Sequence, residues 1–239
     1  MVIKVERRYS SGLTFQWNYT LSKMLTDSDD FRSSGVTSQD HYNRKLEKSI
    51  GGFDQTHAMK LSTIYELPFG RGRRWMNQSR LVDAFLGGWR LAGIQSYASG
   101  FPITVSRSNP FPIFNGATRP TISAYDTWRK PTQGGDFDPA VDQFLNPAAF
   151  PSQPYSFGNA TRYNPKVRAF PSFNENMSLG KSFALHESKR LDFRCEAFNI
   201  FNRVVFGSGT TNLSSVSFGI VTNQTNTPRQ MQLGLKLYW

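Results

Sequence analysis

The chain has 239 residues, enough for one large domain or two small ones, and its 28 Lys and Arg against 17 Asp and Glu leave a net charge of +11. No apolar run approaches the ~18 residues of a spanning helix, so a helical membrane protein is excluded. The positive balance favours acidic partners, nucleic acid or anionic lipid headgroups, without choosing between them, and the single cysteine, Cys195, forms neither an intramolecular disulfide nor a CxxC zinc pair.

Met1 to Arg8 carries a charge every two or three residues, so it lacks the apolar stretch of a secretory leader and gives the sequence as written no export address. Val2–Tyr9 still alternates enough for a short strand, and Ser10-Ser11-Gly12 offers a tight turn into the next segment. In Leu13–Ser22 every odd position (Leu13, Phe15, Trp17, Tyr19, Leu21) is large and apolar and every even one polar, which predicts a strand with two chemically opposite faces. Thr56–Pro68 has Met59, Leu61, Tyr65 and Leu67 in phase, and Trp89–Val105 has Trp89, Leu91, Tyr97 and Phe101, while Ile64 and Ile94 sit on the wrong side. Between those two, Ser79–Gly87 reads as a short helix with a serine cap and a glycine stop.

Further along, Phe173–Ala184 places Phe173, Met177, Leu179 and Phe183 on one face. Arg190–Asn202 sets Leu191, Phe193, Cys195 and Ala197 against four alternating charges, Arg190, Asp192, Arg194 and Glu196. The last segment sets Met231, Leu233, Leu235, Leu237 and Trp239 against Gln230, Gln232, Gly234, Lys236 and Tyr238.

Connections add a second regularity. The links at 10–12, 69–88 and 185–189 are short and those at 23–55, 106–172 and 203–229 are long, in strict alternation. Successive antiparallel strands put alternate links at opposite ends of a sheet, so one end carries turns and the other large polar loops, as in outer-membrane barrels. A soluble β-sandwich would also alternate, with its apolar faces turned inward. Spans such as Trp89–Val105 exceed the usual ~5–6 residues of globular strands and suit a tilted crossing of ~9–11 residues with projecting ends. The expectation is therefore all-β: an antiparallel transmembrane β-barrel segment of about seven long strands, with short periplasmic turns and long extracellular loops.

Other chemistries fit less well. Arg71-Gly72-Arg73-Arg74 before Trp75 reads as a basic rim at the headgroups, because no recognition helix or RNA-binding motif accompanies it, and nucleic acid is not expected as a partner. Asp27-Ser28-Asp29-Asp30 and the group Asp136, Asp138, Asp142 lack the glycine and terminal glutamate of an EF-hand loop. His41, His57 and His186 lie in separate segments with no HExxH, and neither a GxSxG elbow nor a phosphate loop is present. No enzyme activity, cofactor or metal is expected. Arg190, Asp192, Arg194 and Glu196 are expected to face the barrel lumen as a ladder pairing with adjacent strands.

Several motifs together carry a resemblance. Tyr65-Glu66-Leu67-Pro68-Phe69-Gly70-Arg71-Gly72-Arg73-Arg74, Leu86-Gly87-Gly88-Trp89-Arg90-Leu91-Ala92-Gly93-Ile94, Ser99-Gly100-Phe101-Pro102-Ile103-Thr104-Val105, Leu145-Asn146-Pro147-Ala148-Ala149-Phe150 and the run from Arg190 to Asn202 follow in order along the chain. The sequence resembles the C-terminal barrel of TonB-dependent outer-membrane receptors, most closely the Oar-like branch with a carboxypeptidase-regulatory-like domain, common in acidobacteria. The resemblance implies that residues 1–239 are the C-terminal part of such a barrel, without the signal peptide, plug and N-terminal strands of a whole receptor. It implies uptake of a scarce nutrient (siderophore, oligosaccharide or peptide) and a place in the bacterial outer membrane. The implied partners are outer-membrane lipid, the barrel-assembly machinery and the remainder of the receptor, with TonB reached only through the absent N-terminal parts. Phe111, Phe114, Tyr125 and Trp128 in the longest loop become candidates for substrate contact, and Leu233, Leu235, Leu237 and Trp239 for the insertion signal read on a last strand. A non-transporting structural or adhesion protein of Oar type and a soluble β-sandwich binding module are the rival readings.

Overall fold

The computed structural model describes residues 1–28, 38–40, 42–70, 72–75, 80–111, 118–124, 127–133, 135–152, 155–186 and 189–239. Among the described residues are nine strands: β1 (Val2–Ser10), β2 (Leu13–Leu21), β3 (Leu25–Thr26), β4 (Ser49–Ile50), β5 (His57–Glu66), β6 (Trp89–Ala98), β7 (Ser172–His186), β8 (Lys189–Phe198) and β9 (Gln230–Tyr238). Seven of them form one antiparallel sheet in the order β1-β2-β5-β6-β7-β8-β9, and β3 pairs with β4 apart from it. Every strand of the large sheet bonds to its neighbour in the chain's own order, so the sheet is an up-and-down meander.

Register aligns the apolar phases of all seven strands. Tyr19, Met59, Tyr97 and Phe173 stand side by side in one cross-strand row, and Leu13, Tyr65, Leu91, Leu179, Cys195 and Leu233 in another. The rows between them hold Gln16, Ser62, Ile94 and Asn176, or Thr14, Ile64, Ala92, Ser178, Glu196 and Gln232. A one-residue slip in any pair would exchange the two faces, so the alternation itself fixes the pairing. The apolar face is not covered by a second layer: Met231, Leu233 and Leu235 are each about two-thirds or more exposed, which rules out the sandwich reading.

Segment boundaries differ from expectation where the chain leaves the sheet. Trp89–Val105 stops as a wall strand at Ala98, because Gly100 packs where a Cβ would lie 1.9 Å from the Ala169 carbonyl oxygen. From there Phe101 accepts from Ala169 N–H and Ile103 donates to Val167, so the extended chain pairs with a loop instead. Arg190–Asn202 ends at Phe198, where Asn199 and Asn202 take positive φ (50° and 51°) and turn the chain. Asn199 stabilises that turn by accepting from Arg203 N–H and donating to the Arg203 and Thr227 carbonyls. At the other end of the sheet, Ser11 and Gly12 (φ 53° and 82°) make a two-residue turn of the kind that suits the strands' twist.

The predicted helix is α1 (Arg80–Leu86). Gly88, at φ 72°, carries the left-handed conformation after it rather than Gly87, and Ser79 lies outside the described residues. The buried apolar core lies almost wholly outside the sheet. Ile103, Val105, Ile122, Phe144, Leu145, Ala149, Phe150, Val167, Phe218 and Val221 come from the long loops and form one cluster.

Candidate functional site

The loop-rich end of the wall is the chemically richest part of the molecule. Phe137, Phe144, Phe170 and Phe206 form an aromatic knot with ring centroids 4.3 to 6.1 Å apart. Asn146 accepts from Ala148 N–H and donates to the Thr127 carbonyl, which directs the short 3-10 turn Pro147–Ala149 so that Ala149 and Phe150 drop into the core. Phe150 then meets Phe218 edge-on at 5.5 Å, tying the longest loop to the last one.

Buried arginines hold the loops to one another. Arg119 meets Glu47 at 2.9 and 3.1 Å, both side chains about 5 % exposed or less, and its Nε donates to the Ala160 carbonyl. Gln39 completes the set: its N–H donates to Glu47 and its Oε1 accepts from Arg119 N–H. Arg162 donates to the Glu47 and Thr26 carbonyls. Arg168 meets Asp54 at 2.6 Å and also donates to the Asp54 and Gly100 carbonyls. Burial works to raise the Asp54 carboxyl, but the Arg168 hydrogen bond, the Met24 N–H and the Arg168 charge outweigh it and hold Asp54 below the ordinary carboxylate range. Asp142 is likewise held low, by the backbone N–H groups of Asp138 and Gln133, so its acidity belongs to a turn.

The two described aromatic candidates make separate contacts. Trp128 packs edge-on against Phe144 at 5.6 Å as part of the loop core, and Phe111 tilts against Phe157 at 5.5 Å. Phe114 and Tyr125 lie outside the described residues.

Arg190, Asp192, Arg194 and Glu196 share the polar face of β8. Their ion pairs run along the strand rather than across it: Arg190 meets Asp192 at 3.1 Å and Arg194 meets Glu196 at 3.4 Å. The neighbouring strand adds Gln232, which donates to Glu196, and Tyr238, whose ring lies 4.4 Å from the Arg190 guanidinium carbon. The same face holds the out-of-phase Ile64 and Ile94, which with Ala92 and Phe198 line a shallow apolar depression of about 420 Å³. Leu233, Leu235, Leu237 and Trp239 are well exposed, from about half to nearly nine-tenths, along the apolar phase of β9.

Besides the buried ion pairs of the loops, two buried charges of the described wall strands escaped the sequence reading. Glu175 and Lys181 sit in the apolar phase of β7, between Phe173, Met177, Leu179 and Phe183, and are only 1 % and 6 % exposed. Arg203 descends from the last loop and meets Glu175 through Nε at 2.9 and 3.0 Å. Lys181 donates to the carbonyls of Asp83 and Ala84 at the end of α1, with its ammonium 4.8 Å from the Phe183 ring. The phase break was the signal, since a charge in step with Phe and Leu needs a covering partner. At the same turn-rich end Arg73 meets Glu66 at 2.7 Å and Arg74 lies over Trp75, while Arg71 is outside the described residues.

A family model described as "Outer membrane beta barrel domain" matches residues 1–232. The chain belongs to that family, and its place is the bacterial outer membrane. In such barrels the apolar face meets lipid and the polar face lines the interior, which assigns the two faces described above. Comparison with curated proteins found no match.

Proposed function

We propose that the chain is the C-terminal wall and outer loop assembly of a TonB-dependent outer-membrane receptor for active uptake of a scarce nutrient, siderophore, oligosaccharide or peptide, of the Oar-like type. The observation that carries this reading is the behaviour of the resembling motifs. Ser99–Val105 leaves the wall and, with Leu145–Phe150, gives Ile103, Val105, Leu145, Ala149 and Phe150 to the loop core, while Asn199–Asn202 turns the chain out of β8, so the motifs reach into a packed outer platform rather than the wall alone. A platform held by buried ion pairs can present binding side chains in fixed positions at low entropic cost, as ligand capture requires. The polar face of β8 supplies a charged interior, and no catalytic step is part of the reading.

Deleting the gene in its host and measuring growth on limiting iron, oligosaccharide or peptide tests the proposal. Uptake should fall, return with the gene, and fail to return in cells lacking TonB. Unchanged uptake with reduced surface attachment would favour the structural or adhesion reading. The barrel-assembly machinery is the expected reader of the last strand. Trp239→Ala should therefore lower the amount of protein recovered in outer membranes severalfold, and unchanged surface levels would reject that role.

A further inference from the structure

We propose that the cleft where the lipid-facing wall meets the outer loops is a binding site for a phosphorylated acyl lipid of the outer leaflet. The cleft has a volume of about 820 Å³, and Arg129, Lys130, Phe137, Phe170, Phe173 and Arg203 are among its lining residues. Its floor belongs to the membrane side of the wall. Phe173 stands in the apolar row of Tyr19, Met59 and Tyr97, and Arg203 reaches Glu175 on that same face. Its roof is the loop assembly.

Two chemistries meet there. Phe173 and Val204, which line the cleft, remain 39 % and 48 % exposed and form an apolar ledge continuous with the wall on which acyl chains can lie, with the exposed Phe201 ring next to Arg203 beside them. Above it, the Arg129 guanidinium carbon sits 5.3 and 5.4 Å from the Phe144 and Phe170 ring centroids, so a buried aromatic knot fixes the position of an exposed cation. Lys130 beside it is exposed, and its ammonium meets the neutral Gln143 Oε1 at 3.4 Å. Arg203 spends its Nε on Glu175, which does not line the cleft, and Asp136 is the only acid among the described lining residues. Cations over an apolar ledge at the membrane boundary match a molecule whose anionic head and hydrocarbon tails lie within a few ångströms of each other. A solute crossing the barrel would travel on the opposite, polar face, so this site is separate from transport.

The test uses the full chain in dodecyl maltoside micelles, titrated with bisphosphorylated lipid A, with lipid A stripped of its phosphates, and with inorganic phosphate. The wild type should bind the phosphorylated lipid about tenfold more tightly than the stripped one. The double variant R129Q/K130Q should lose about that factor, K130Q alone a smaller part of it, and K45Q/K48Q, which removes two exposed charges elsewhere in the loops, none. Far-UV circular dichroism of each variant reports folding, and K130Q leaves the ring contacts of Arg129 in place. Equal binding by wild type and R129Q/K130Q, or equal binding of both lipids, would overturn the proposal. Inorganic phosphate binding as tightly as the lipid would reassign the cleft to a free anion.

Discussion

Asp54 shows how single side chains hold the outer loops together. Its carboxylate takes Arg168, Met24 N–H and Thr56 at once while almost fully buried, and the net effect is a depressed pKa. A carboxyl with a lower pKa folded than unfolded adds stability above its unfolded value of about 3.9, and that stability drains away as pH falls through the folded value. The protection of amides in residues 49–56, taken relative to their intrinsic exchange at each pH, should accordingly fall once pH drops below about 4, and Asp54→Asn should be less protected at neutral pH and lack this acid step. An unchanged acid profile in the variant would show that another group carries it. Glu47 with Arg119 is a stricter case, since removing the arginine alone leaves a carboxylate buried without its cation, a loss of about 3–5 kcal/mol in comparable sites.

At the scale of the element, each wall strand is a two-sided ribbon whose faces have different solvents. Leu179 lies near the middle of β7, in the row of Leu13, Tyr65, Leu91, Cys195 and Leu233, while Ser178 beside it points to the polar side. A lysine on the lipid face of a barrel costs about 2–4 kcal/mol at mid-depth and little in the interior. Leu179→Lys should therefore lower the urea midpoint of the membrane-inserted chain substantially and Ser178→Lys should barely move it. Equal shifts would mean that the faces have been assigned the wrong way round. Glu175 and Lys181 obey the same rule, because each obtains a partner from outside its own strand: Arg203 from a loop, and the carbonyl end of α1 from a turn.

The whole molecule divides its stabilisation between two media. The sheet leaves its apolar side chains exposed or half-buried for hydrocarbon, and among the described buried apolar residues only Ala197 belongs to a wall strand. The loops instead bury their own core, as a water-soluble domain would. Phe144→Ala, at the centre of the aromatic knot, should cost about 3–5 kcal/mol of loop stability. Proteolysis should then reach residues 99–171 while the strand signal in circular dichroism and the membrane fraction stay as in the wild type. Joint loss of wall and loops would show a single cooperative unit in place of two.

Much of the wall was written in the chain. A period of two over Leu13–Leu21 or Leu191–Ala197 dictates a strand and both its faces, and alternating link lengths dictate which ends carry loops, because each follows from local geometry that no distant residue alters. The loop core was not legible. Ile103, Leu145, Phe150 and Phe218 follow no period, and nothing local announces the edge-on contact of Trp128 with Phe144. The sequence by itself determined the seven wall strands and the two faces of each. Only the tertiary structure decided which arginine neutralises which buried carboxylate, why Glu175 and Lys181 are tolerated among lipid-facing residues, and where cations and aromatic rings meet at the outer rim. Those pairings join residues tens of positions apart, and they exist only once the meander has brought the ends of its loops together.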